Sequence, residues 1–85
     1  IELKPDFAMA YGNRGQAKVR WKDYKGAMED YSKAIELNPD YASAYGGRGF
    51  AKYNLNDIGG ACKDWRIAAS LGKSNVIDII RQLCE

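Results

Sequence analysis

One self-similarity constrains this chain more than any other feature. Ile1-Glu2-Leu3-Lys4-Pro5-Asp6-Phe7-Ala8 returns as Ile35-Glu36-Leu37-Asn38-Pro39-Asp40-Tyr41-Ala42. In the same register Ala10-Tyr11-Gly12-Asn13-Arg14-Gly15 matches Ala44-Tyr45-Gly46-Gly47-Arg48-Gly49. Ala17-Lys18, Asp23 and Gly26-Ala27 match Ala51-Lys52, Asp57 and Gly60-Ala61, and Asp30, Ala34 and Leu37 match Asp64, Ala68 and Leu71. Every pair keeps a 34-residue offset without a gap, and about half of one period is identical to the next. A repeat of this length is one supersecondary unit that cannot bury its apolar face alone. It must stack on a neighbour of its own kind.

Each period reads as two helices. The first is expected from about Asp6 to Trp21, with its copy from Asp40 to Leu55, and Asp6 and Asp40 are the expected N-caps. The second starts near Asp23 or Asp57, again a capping residue type. Ile58, Ala61, Cys62, Trp65, Ala68 and Ala69 recur at spacings of three and four, which makes one apolar stripe. Asn38 and Gly72 suit the left-handed residue that closes a helix, and Pro39 stops continuation of the first.

The tail departs from the repeat. Ser74 is expected to cap a last helix with Val76, Ile79, Ile80, Leu83 and Cys84 on one face and Asp78, Arg81, Gln82 and Glu85 on the other. A one-sided helix can cover the open end of a stack. The expected fold is therefore all-α: antiparallel helix-turn-helix repeats stacked as a solenoid. The divisions are a stump of a preceding repeat at 1–5, repeats at 6–38 and 39–72, and a capping helix at 73–85.

The bulk properties narrow the function classes. At 85 residues a compact unit buries only about 60–65% of the surface its unfolded chain exposes. The net charge of +2, with Lys and Arg interspersed among Asp and Glu, lacks the clustered basic excess of a nucleic-acid binder. No apolar run approaches the about 20 residues of a membrane span. Ile1-Glu2-Leu3-Lys4-Pro5 lacks the order of a signal peptide. Because it also lacks an initiator Met, the chain is read as part of something longer, and the compartment stays open with a cytoplasmic lean. If the chain turns at Lys73, Cys62 and Cys84 lie equally far from the turn and should face each other across an antiparallel pair. Packed helix axes usually stand about 8–10 Å apart, whereas bridged Cα atoms need to be within about 7 Å. A disulfide is one reading, and reduced, buried thiols are the favoured one. With no His and no further Cys, neither a metal site nor a cofactor site is expected.

Arg14 with Lys18, and Arg48 with Lys52, set two cations one turn apart. An anion site is one reading. The other is internal pairing of Arg14 with Asp30 and Arg48 with Asp64, favoured because both partners recur at the repeat offset. Gly46-Gly47-Arg48-Gly49 superficially resembles a phosphate-cradling loop, but it lacks the preceding strand and the following helix start. Its alignment with Gly12-Asn13-Arg14-Gly15 places it inside a helix. The Ser residues have no base partner and the carboxylates do not converge, so no catalytic constellation emerges.

Tyr11, Gly15, Ala27, Tyr31 and Pro39, with Tyr45, Gly49, Ala61 and Trp65 in the second copy, resemble the tetratricopeptide repeat pattern W-x2-L-G-x2-Y, A-x3-F, P. The resemblance covers nearly the whole chain. Arg14 and Arg48 depart from its Leu, Lys18 and Lys52 from its Tyr, and Lys73 from its next Pro. The family implies a scaffold or adaptor without catalysis, whose concave face, lined by the first helix of each repeat, receives a peptide or helix of another protein. By that register the partner-binding residues are Met9, Asn13, Gln16 and Arg20, then Ser43, Phe50, Tyr53 and Asn54, and finally Arg81. Gly12, Val19, Gly46, Gly47 and Ile77 share the face. Phe50 and Tyr53 replace Gln16 and Val19, so the repeat does not demand them and they are the favoured anchors. A clamp for chaperone C-termini would need Lys and Asn at the places of Gly12 and Gln16, Asn at Gly47 and Lys at Ile77. Only Arg81 fits, and that reading is rejected. The alternative function is self-association of the parent protein through an uncovered first helix, since about two repeats fall short of the three that arrays generally need.

Overall fold

The computed structural model describes residues 5–85, with side chains from residue 7. The expected stump at 1–5 and its apolar residues lie almost wholly outside the described residues. Four helices follow in order: α1 (Pro5–Arg20), α2 (Tyr24–Leu37), α3 (Ala42–Asn54) and α4 (Ile58–Ser70). A 3-10 turn at Ser74–Val76 leads into α5 (Ile77–Leu83). The described residues contain no strand. Consecutive helices pack as antiparallel hairpins, and α2 contacts α3 as well as α1, so the chain is a stack of helical hairpins.

Small residues make the stacking possible. Ala27, Ala34, Ala44 and Ala51 are buried with Tyr31 in one core, flanked by Tyr11, Tyr24 and Tyr41. Ala61, Ala68 and Val76 are buried with Trp65 in the second, flanked by Tyr45, Ile80 and Cys84. One aromatic per core fills the space that the alanines leave. Gly49 permits the approach inside the second hairpin: a Cβ there would stand 2.6 Å from the Trp65 Nε1. The indole N–H donates to the Gly46 carbonyl at 3.3 Å, so the buried ring has its polar atom satisfied.

The turns show where local chemistry acts. Asp23 and Asp57 cap α2 and α4, each accepting the backbone N–H three residues on at 3.0 Å. Just before them Lys22 and Asn56 adopt φ of 63° and 67°, closing the preceding helices in the left-handed region. Gly72 does the same at φ 105°. Four cap assignments need correction. Asp6 is the second residue inside α1, and Asp40 precedes the cap residue Tyr41, whose side chain makes no capping bond. Asn38 closes α2 in an extended conformation, while its Oδ1 accepts from the Asp40 N–H at 3.3 Å. Lys73, not Ser74, stands at the cap of the 3-10 turn.

The cysteines also correct the expectation: Cys62 and Cys84 are joined by a disulfide, with Cα atoms 5.7 Å apart. Cys84 lies beyond the last helical residue of α5, so the spacing between two packed helix axes does not hold it away. Of the expected cap face, Val76 is buried and Ile80 and Cys84 are half-buried, while Ile79 and Leu83 are exposed. Among the described residues no helix is long and apolar enough to cross a membrane.

Candidate functional site

The stacking of α3 beside α1, with α2 behind them, leaves a cavity of about 400 Å³ between the first helices of the two hairpins. Asn13 and Gln16 wall it from α1, and Ser43 and Gly47 from α3. Tyr31 reaches it from α2, and Tyr41 and Lys73 complete the wall. Two helical positions without side chains admit tyrosine rings into its wall. The Tyr41 hydroxyl lies 2.7 Å from where a Cβ of Gly12 would stand, and the Tyr31 ring occupies the space that a Cβ of Gly47 would need.

The chemistry of the walls is neutral and hydrogen-bonding, with one cation. Asn13, Gln16 and Ser43 are exposed and offer both donors and acceptors. Tyr31 is only 7% exposed. Burial, aided by neighbouring Tyr41, pushes its phenol up from the ordinary value, and the hydroxyl can donate as well as accept. Lys73 lays its stem along Gly46, where a Cβ would meet its Cε at 3.1 Å.

Charges are paired behind this cavity. Asp30 receives Arg14 Nη2 at 2.8 Å and Lys18 Nζ at 3.1 Å, and Asp64 receives Arg48 Nε at 2.8 Å and Lys52 Nζ at 3.1 Å. The two sets differ in shielding, since the Arg14 side chain is 59% exposed and that of Arg48 20%. Each guanidinium also lies over a tyrosine ring, Arg14 over Tyr11 and Arg48 over Tyr45. These cations are engaged by Asp30 and Asp64, with Arg48 Nη1 also donating to Ser32 Oγ of α2 at 3.2 Å, and none of them lines the cavity.

A pH dependence follows. The hydrogen bond from Arg14 holds the Asp30 carboxyl below the usual carboxylate value, against an opposing contribution from burial. A depressed folded-state pKa contributes stability that is fully present above the unfolded value of about 4 and is lost as pH falls through the folded one. Stability should therefore decline below about pH 4, with Asp30→Asn shallower than wild type by up to about one bound proton. Denaturant midpoints measured from pH 6 down to pH 2.5, in steps of about half a unit across that window, check this. Parallel profiles for the two proteins would contradict it.

Asn13, Gln16 and Ser43 are brought together at the cavity, with Gly12 and Gly47. Met9, Arg20, Phe50, Tyr53, Asn54 and Arg81 do not line it. Phe50 packs edge-on to Tyr24 at 6.3 Å between centroids, and Tyr53 lies tilted on Trp65 at 6.0 Å. Both rings keep outward surface, at 45% and 36% exposure. Asn54 donates to the Phe50 carbonyl at 2.9 Å within its own helix. Met9 is exposed on α1, and Arg81 sits on α5. Tyr31, Tyr41 and Lys73 went unrecognised as wall residues. Tyr31 reads as core from the repeat, and the lysine in place of the pattern's proline was the one available signal for Lys73.

Residues 8–41 match the model of the tetratricopeptide repeat family. Among solved structures, the chain is similar to the first TPR of Spaghetti (RPAP3) bound to HSP90 peptide SRMEEVD, with a TM-score of 0.79 and 29% identity. That likeness covers 94% of this chain and 65% of the other, so the chain spans about two thirds of its neighbour's length. No curated protein matches.

Proposed function

We propose that this chain of tetratricopeptide-type hairpins is a protein interaction module that receives an extended peptide segment between α1 and α3. The observation that carries the reading is the open cavity walled by Asn13, Gln16, Ser43 and Tyr31 between α1 and α3. Neutral side chains that both donate and accept can pair with the main chain of an extended segment. The similar structure holds a partner peptide, which supports the same class of function.

The character of the peptide differs from the neighbour's. SRMEEVD carries three acidic side chains. The cavity here presents Lys73 as its one cation among the lining residues. Arg14, Lys18, Arg48 and Lys52 are spent on Asp30 and Asp64. The preferred segment is therefore polar and largely uncharged, with at most one carboxylate for Lys73.

Selection from a phage-displayed random peptide library tests this. Clones selected on the wild-type chain should lose at least about 10-fold in affinity on Ser43→Trp or Asn13→Trp. Both fill the cavity from exposed positions. Clones should keep their affinity on Lys63→Trp, exposed on α4, and synthetic SRMEEVD should show no saturable binding. Clones indifferent to both cavity substitutions would defeat the proposed site, and saturable SRMEEVD binding would defeat the charge preference.

A further inference from the structure

Three polar side chains enter the cavity from outside α1 and α3, and each passes over a glycine of those helices. The ring of Tyr31, on α2, lies 3.2 Å from where a Cβ of Gly15 would stand, and its hydroxyl-bearing carbon occupies the place of a Cβ at Gly47. The Tyr41 hydroxyl lies 2.7 Å from the Cβ position of Gly12, and Lys73 Cε 3.1 Å from that of Gly46. Among the described residues, none of the three polar ends has a hydrogen bond or an ion pair.

Tyr31 is the telling member of the set. It is 7% exposed, yet among the described residues no fully sealed side-chain oxygen or nitrogen lacks a partner. An unbonded hydroxyl on so buried a ring must therefore open on the cavity that the residue lines. The second hairpin supplies the contrast. Trp65 takes the place of Tyr31 one period on, and there the indole N–H is satisfied inside the chain by the Gly46 carbonyl at 3.3 Å. Packing alone does not ask for the Tyr31 hydroxyl, since a phenylalanine ring would fill the same slot without a polar end.

We infer, taking the groove between α1 and α3 as the peptide site, that Tyr31 determines its specificity: with Tyr41 and Lys73 it receives one peptide side chain that ends in a carbonyl oxygen, the carboxamide of glutamine or asparagine or the carboxylate of glutamate or aspartate. Phenols donate and accept, whereas an ammonium only donates, so the three ends together hold a surplus of donors. A carbonyl oxygen, with two lone pairs, answers that surplus, and the single cation matches at most one negative charge. A hydrocarbon side chain would shut water away from the hydroxyls and the ammonium without pairing them. A site built of hydrogen-bonding groups rejects such an analogue more strongly than an apolar pocket rejects a change of size. None of the three stands on α1 or α3, so the specificity comes from behind the helices that form the groove.

The probes are fluorescein-labelled synthetic peptides, selected on the wild-type chain from a random phage library and measured by fluorescence polarisation. On Tyr31→Phe they should bind at least about 10-fold more weakly, while the urea midpoint of that variant matches wild type, because the hydroxyl holds nothing within the chain. Replacing one Gln, Asn, Glu or Asp of the peptide with Met should cost a similar factor on wild type and nothing further on Tyr31→Phe. Lys73→Met separates the two sources of the oxygen, weakening a carboxylate peptide by more than about 10-fold and a carboxamide peptide by less. Peptides that keep full affinity on Tyr31→Phe but lose it on Ser43→Trp would overturn this inference and leave the groove standing. Indifference to both substitutions would remove the groove and the inference with it. A Tyr31→Phe midpoint clearly below wild type, or no peptide position coupled to Tyr31, would also overturn it.

Discussion

Replacing Asp64 with alanine is expected to destabilise the chain by about 3–5 kcal/mol, the range for removing one partner of a buried ion pair. The Asp64 side chain is 2% exposed and accepts from Arg48 Nε and Nη2 and from Lys52 Nζ, all within 3.1 Å. Removing the carboxylate leaves two mostly covered cations facing one another with no counter-charge. For a chain whose whole stability is of order 5–10 kcal/mol, that is a large fraction. The other hairpin provides the control. Asp30 is as buried as Asp64, but the Arg14 side chain is 59% exposed and that of Arg48 20%, so water can take the place of Arg14 beside its carboxylate and Arg14→Met should cost clearly less than Arg48→Met. Urea titrations followed by circular dichroism measure all three. Equal costs for Arg14→Met and Arg48→Met would show that shielding does not govern these pairs.

The second large effect is expected at the cap. Cys62 and Cys84 close a loop across 22 positions of sequence, and the chain-entropy model values such a closure at about 3 kcal/mol. α5 has only seven residues and none of them is buried, too few to persist as an isolated helix. Its hold on α4 depends on Val76, on half-buried Ile80 and on the covalent bond. The Cys62→Ser, Cys84→Ser double variant should melt more than about 10 °C below the oxidised wild type. Dithiothreitol should lower the wild type by a similar amount and leave the double variant unmoved. A wild-type melting temperature indifferent to dithiothreitol would contradict the tethering role.

How far the sequence could be read follows from the kind of information each feature needs. Recurrence at a fixed offset reports the stacking of hairpins, because identical local chemistry in successive units has one compact solution. Asp23 and Asp57 cap helices for a local reason: a carboxylate reaching the amide three residues on needs only the adjacent chain. Asp40 fails by one position, since Pro39 and the Asn38 side chain shape the turn and push the helix start to Ala42. The disulfide depended on the path of the chain past α5, which no periodicity encodes. The cavity was half legible. Asn13, Gln16 and Ser43 follow from helix register, whereas Tyr31 reaches the wall because Gly47 lets its ring pass between α1 and α3. That is a property of two repeats together and is invisible in either one alone. Phe50 and Tyr53 stand out as departures from the repeat, yet their rings rest on Tyr24 and Trp65, contacts that belong to the helix behind each of them.

Recognition between α1 and α3 is the central claim for this molecule. Nitrogen-15 NMR of the chain titrated with a library-selected peptide addresses this most directly. The largest shifts should fall on the amides of Gly12, Asn13, Gln16, Ser43 and Gly47, with Lys25, Glu29 and Lys63 on the outer helices unmoved. Shifts confined to those outer residues of α2 and α4, with the α1 and α3 amides silent, would contradict it.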